Sequence, residues 1–211
     1  MLIAFLLYEG MTALDLVGPH EILSRLPGAK VKRVAKAAGS IMTDSGMEIV
    51  AEYSLKDVES ASVLVIPGSG SANSFRNDPE VLDWVRSIHN TTSWTASVCT
   101  GSLILGAAGI LTGLKATTHW AAMDRLKEWG AKPEFERIVQ DDKVMTAAGV
   151  SAGIDMALTL SANIAGQRFA EGLQLGIEYD PQPPFHVGSP SKAAPAVVDA
   201  LRIKFAADFE K

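Results

Sequence analysis

A single cysteine, Cys99, stands in 211 residues. That scarcity excludes any disulfide within the chain and any zinc site built on Cys-x-x-Cys pairs. It suits the reducing cytosol, so a cytoplasmic location is expected. Basic residues are also few: 19 Lys and Arg against 24 Asp and Glu leave a formal net charge of −5, with no cationic cluster. The field of such a chain repels nucleic acid and anionic membranes, and neither is expected as a partner. Long hydrophobic runs are missing too. The opening Met1-Leu-Ile-Ala-Phe-Leu-Leu-Tyr8 is apolar, but Glu9-Gly10 cuts it and no Lys or Arg precedes it. It is too short for a membrane span and wrong for a signal peptide, and it reads as a buried first strand.

What is present is an alternation of short apolar runs with helical periodicities, the signature of a parallel sheet covered on both faces. Strands are expected over residues 2–7, 31–37, 62–66, 94–98 and 116–118. Helices are expected over 14–25, 79–89, 100–108, 119–129, 151–165, 167–177 and 193–209. Asp78 caps the second of these with Pro79 in its first turn, and Gly130 closes the fourth. Residues 39–53 read as an irregular or hairpin segment, and residues 135–140 with 143–147 as a hairpin near the sheet edge. The fold class expected is α/β: one flavodoxin-like domain over 1–211, a three-layer sandwich with a mostly parallel sheet.

Chemistry concentrates in Trp94-Thr-Ala-Ser-Val-Cys-Thr-Gly-Ser-Leu-Ile-Leu105. A strand runs into Cys99, small residues follow, and a helix begins: the cysteine analogue of a nucleophile elbow. Most isolated cysteines are small buried hydrophobes, but a structural cysteine has no reason to sit at that junction. Proximity to a helix N-terminus is expected to lower the thiol's pKa. Pro67-Gly68-Ser69-Gly70 ends the neighbouring strand, where loops line the ligand crevice of such sheets. There Gly68 and Ser69 can aim a backbone N–H, that of Ser69, at the atom bonded to sulfur, with the Thr100 N–H as second donor. The bland reading is a Gly-rich turn, and the segment lacks the spacing of a phosphate-binding loop. Asp15, flanked by Leu14 and Leu16, is either a helix cap or a carboxyl near the cysteine whose burial raises its pKa. His119 opens a helix and can reach the same crevice, and Trp120 and Phe185 can wall an apolar pocket, though large aromatics are often plain core. His20, His89 and His186 read as helix-face or loop residues. No ligand spacing for a metal is present, and no zinc is expected.

These residues carry a resemblance to the ThiJ/PfpI superfamily, relatives of the class I glutamine amidotransferases. The markers are Leu14-Asp-Leu-Val-Gly-Pro-His20, Ser97-Val-Cys-Thr-Gly-Ser-Leu103, Ala116-Thr-Thr-His-Trp120, Ala152-Gly-Ile-Asp-Met-Ala-Leu158 and Tyr179-Asp-Pro-Gln-Pro-Pro-Phe185, with Gly188-Ser189-Pro190 following the last. The last segment points to the branch that hydrates isonitriles to N-substituted formamides. The resemblance implies a cofactor-free lyase: Cys99 attacks the isonitrile carbon to give a thioimidate, and Asp15 supplies the proton. The Thr100 and Ser69 amides and the Thr100 hydroxyl orient the intermediate. It also implies a homodimer with its interface near the site, around residues 11–19. Thr100 stands where protease and amidase branches often have a histidine, and His119 is followed by Trp120-Ala121 rather than by the His-x-Glu of amidotransferase triads. Both departures weigh against peptide or glutamine hydrolysis. Ser69 stands where many relatives have a second glycine, and a positive φ there would strain the loop. Competing expectations are glyoxalase-like chemistry on a reactive carbonyl, a redox-sensing role for Cys99, and a non-enzymatic ligand-sensing domain. Against the last, no basic DNA-binding segment accompanies the domain and both Cys99 and Asp15 are kept.

Overall fold

The structure is a computed structural model that describes residues 1–70 and 77–209. Its central sheet contains β1 (Leu2–Leu6), β2 (Lys30–Ala35), β5 (Tyr53–Ser54), β6 (Val63–Ile66), β7 (Trp94–Val98), β10 (Ile138–Asp141) and β11 (Val144–Ala147). The strand order is β10-β11-β7-β6-β1-β2-β5. Every neighbouring pair is parallel except β10 with β11. Strands β6 and β11 are buried at every residue, and β1 and β7 at all but their first. That is why these segments are continuous runs of apolar and small residues rather than alternating ones.

Helix α4 (Ala152–Ala165) packs against α1 (Ala13–Leu23) and α5 (Gln167–Gly176), and α3 (Gly101–Ala107) packs against α2 (Pro79–Thr91) and a 3₁₀ segment, Trp120–Trp129. The two groups cover the sheet as outer layers, which makes the α/β sandwich expected from the sequence. A last helix, α6 (Pro195–Phe209), follows. The hairpin β3 (Gly39–Met42) and β4 (Glu48–Ala51) stands outside the main sheet, turning at Thr43, whose N–H donates to Met47 O at 2.9 Å.

Two expectations change. The 119–129 segment is 3₁₀ rather than α: Ala122 N–H donates to His119 O at 2.8 Å and the His119 ring takes the Ala121 N–H, which tightens the first turn. The strand expected over 116–118 shrinks to β8 (Lys115–Ala116), paired only with β9 (Lys132–Pro133). Its next residues leave the ladder because Thr117 N–H donates to Thr146 Oγ1 (2.9 Å) and the Thr118 hydroxyl to Cys99 O (2.9 Å).

The chain steps outward from β1 to β2, then returns to place β6 on β1's other side. Loops after β1, β6 and β7 therefore converge at the carboxyl ends of adjacent strands, where such sheets bind ligands. Asp15, Gly68 and Cys99 all follow those three strands.

Candidate active site

Cys99 leaves β7 with its N–H still in the ladder, donating to Ala147 O at 3.0 Å, and then turns with φ of 55°. A non-glycine residue in the left-handed region costs about 1–3 kcal/mol and persists only where the surroundings enforce it. Two glycines provide that enforcement. A Cβ on Gly68 would lie 2.6 Å from Thr100 N and 2.8 Å from Cys99 Cβ, and one on Gly101 would collide with Ile66 O. The Cys99 carbonyl is held by the hydroxyls of Thr118 (2.9 Å) and Ser102 (3.2 Å). The strain sits on the cysteine; Ser69 keeps a negative φ, so the loop strain considered for it does not arise.

Asp15 is fully buried in the first turn of α1. It is not the cap; Thr12 holds the N-cap position, and the Asp15 side chain turns inward to accept the Gly68 N–H on Oδ2 at 2.9 Å. Its Oδ1 has no hydrogen-bond partner among the described residues, and its carboxyl interacts with the Cys99 side chain. Burial pushes the Asp15 carboxyl up to about 7, reinforced by the negative Asp44 and opposed by the Gly68 N–H and the Cys99 side chain.

Burial also pushes the Cys99 thiol well above its ordinary value, and the Asp15 charge adds to this. Opposing it are the Val150 and Thr100 amides and the Thr100 side chain. The expected lowering by a helix N-terminus is thus outweighed, and α3 is only seven residues long. The Asp15 charge raises the thiol while the Cys99 side chain lowers the carboxyl, so the ionisation of each depends on the other.

The amides of Gly68 and Ser69 are placed differently from the expectation. Gly68 N–H serves Asp15, and Ser69 N–H donates to Thr100 Oγ1 at 2.8 Å while that hydroxyl donates back to Ser69 O at 2.7 Å. The amides at the sulfur are those of Thr100 and Val150. Val150, itself at φ of 32°, was invisible as a site residue in the sequence. Only its position just past β11, the strand beside β7, reveals it.

His119 and Trp120 do not join the pair. Burial lowers His119 to about 4, so it is neutral near pH 7, and its ring packs on Trp120 (5.5 Å between centroids) and edge-on against Phe205 (4.7 Å). Both line a groove of about 1290 Å³ that also takes in Leu14, Thr118, Val150 and Phe185. Thr118 and Val150 bond the Cys99 carbonyl and sulfur, so the groove floor lies one side chain from the cysteine. Among the described residues no three His, Cys, Asp or Glu side chains converge to hold a metal ion. Among those residues, too, no helix is long and apolar enough to cross a membrane.

A cysteine at a strained strand–helix elbow, with a buried carboxyl against it, occurs here on a parallel α/β sandwich. The model of the DJ-1/PfpI family matches residues 1–163, and the chain belongs to that family. Within it, the chain is 41% identical over 200 residues to the isonitrile hydratase of Pseudomonas putida, covering 95% of this chain and 88% of the relative. A ThiJ/PfpI family protein from Pseudomonas syringae superposes with a TM-score of 0.93 at 42% identity, over 99% of this chain and 86% of that one. Drosophila melanogaster DJ-1beta shares the fold at a TM-score of 0.77 and 20% identity, over 85% of this chain and 98% of its own.

Proposed function

We propose that the protein is an isonitrile hydratase that works through a covalent thioimidate on Cys99. The observation that carries this reading is the Asp15 carboxyl, held near 7 and the one charged group that acts on the thiol among the described residues. An isonitrile carbon must gain both a bond to sulfur and a proton, and a thiolate beside a carboxylic acid delivers both. Similarity to the P. putida enzyme over nearly the whole chain supports the substrate class.

The steps balance as follows. The thiol proton passes to Asp15, sulfur attacks the terminal carbon of R–N≡C, and Asp15 returns that proton to the same carbon, giving R–N=CH–S–Cys99. Water then adds across the C=N bond, its hydroxyl to carbon and its proton, relayed by Asp15, to nitrogen. Asp15 removes the proton of the new hydroxyl as the C–S bond breaks. R–NH–CHO leaves, and the thiolate and carboxylic acid are restored. The Thr100 and Val150 amides stabilise charge on sulfur in the first and last steps. The R group extends into the neighbouring groove. No cofactor enters, and two copies of the chain associate through the exposed face of α1, where Leu14 and Val17 are each more than two-fifths accessible.

The test is turnover of cyclohexyl isocyanide, followed as N-formamide. Cys99→Ala should abolish product, and Asp15→Asn should reduce kcat by about 100-fold or more. Product formation that survives loss of the sulfur overturns the mechanism. A wild-type protein that ignores isonitriles yet converts methylglyoxal overturns the substrate class.

A further inference from the structure

The Pro67–Gly68 peptide is bonded at both ends. Its carbonyl accepts the buried Tyr8 hydroxyl at 2.7 Å, and its N–H donates to Asp15 Oδ2 at 2.9 Å. Drawing electron density from a carbonyl oxygen makes the N–H of the same peptide a stronger donor. Rotating that peptide would break both bonds at once. The next peptide is fixed in the same way: Gly68 O accepts Thr12 N–H at 2.8 Å, and Ser69 N–H donates to Thr100 Oγ1 at 2.8 Å. With no room for a Cβ at Gly68, the loop cannot slide to re-aim either N–H.

We propose that Tyr8 is a positioning residue for Asp15: its hydroxyl, acting through the Pro67–Gly68 peptide, sets the direction and strength of the hydrogen bond that holds the Asp15 carboxylate. Two further charged or titratable groups act on Asp15, Cys99 and Asp44, and the same three groups act on Tyr8. A stronger Gly68 donor favours the ionised carboxylate, so the Tyr8 hydroxyl opposes the upward pull of burial. The proposal rests on Asp15 as the proton-handling group, but it is tested without substrate. Its failure is therefore separate from a failure of the hydration assay.

The measurement is the titration of Asp15 by NMR on protein with ¹³C-labelled aspartate carboxyls, the Asp15 signal being the one that Asp15→Asn removes. Tyr8→Phe keeps the ring and deletes the donor, and should move the midpoint upward by about half a pH unit or more. Replacing all three tyrosines with 3-fluorotyrosine, a stronger donor of nearly equal size, should move it downward. Tyr53 and Tyr179 contribute nothing to that change, since they face Lys32 and Asp155. Opposite shifts from the two changes mark hydrogen-bond strength, which altered packing does not produce. Midpoints unmoved in both proteins overturn the proposal. Should Tyr8→Phe fail to fold, the fluorotyrosine protein decides alone.

Discussion

At Asp15 the cost of burial meets the needs of the proposed proton transfer. Its carboxyl ionises at about 7 in the folded protein against an ordinary 3.8. Between about pH 4 and 7 the folded state therefore binds more protons than the unfolded chain, and stability falls as pH rises through that window. At roughly 1.4 kcal/mol per pH unit the loss is at most about 4 kcal/mol. Asparagine cannot ionise, yet it keeps an oxygen for the Gly68 N–H. Asp15→Asn should therefore melt several degrees above the parent at pH 8 and show little gain at pH 4. An equal gain at both values would mean that Asp15 does not ionise in this range. Charge at this one residue thus ties the working state of the site to a cost in folding.

The element that shapes the Cys99 turn is the β7–α3 elbow, and it is rigid because backbone approaches backbone there. In Gly101→Ala the new Cβ meets the Ile66 carbonyl. Such overpacking costs about 2–3 kcal/mol, which corresponds to a Tm loss of about 5–10 °C, with activity falling further as Cys99 leaves its φ of 55°. Gly172→Ala, on the exposed side of α5 with nothing within 4 Å, provides the contrast and should be neutral or slightly stabilising. Equal melting temperatures for the two variants would refute the crowding argument. This elbow was legible in the sequence because all its parts are local: an apolar run, a cysteine, then Thr100-Gly101. Asp15 was legible as an anomaly, a carboxylate between two leucines. Tyr8 and Val150 were not, since each meets the site through sheet order, and the Tyr8 bond spans 59 residues. The hairpin expected near the sheet edge is there, but which of its strands lies inside was not legible: β10 is at the edge and β11 pairs with β7. Periodicity within one segment says nothing of which strand becomes its neighbour.

Over the whole molecule, α1 faces two ways. Leu16, Ile22 and Leu23 enter the core, while Leu14 and Val17 stay exposed one and two residues from Asp15. Self-association on that face predicts that Val17→Asp lowers the sedimentation coefficient from the dimer's to the monomer's at micromolar concentration. A parent protein that already sediments as a monomer would remove the dimer from the proposal. Leu14 also lines the groove, so the proposed association and substrate entry would share a boundary. The solitary thiol has a consequence at this scale as well. With one sulfhydryl per polypeptide, intact-mass spectrometry of any thiol adduct counts occupied Cys99 sites one for one. A trapped intermediate or a thiol-directed inhibitor is then located by mass alone, because the chain offers those reagents no other cysteine.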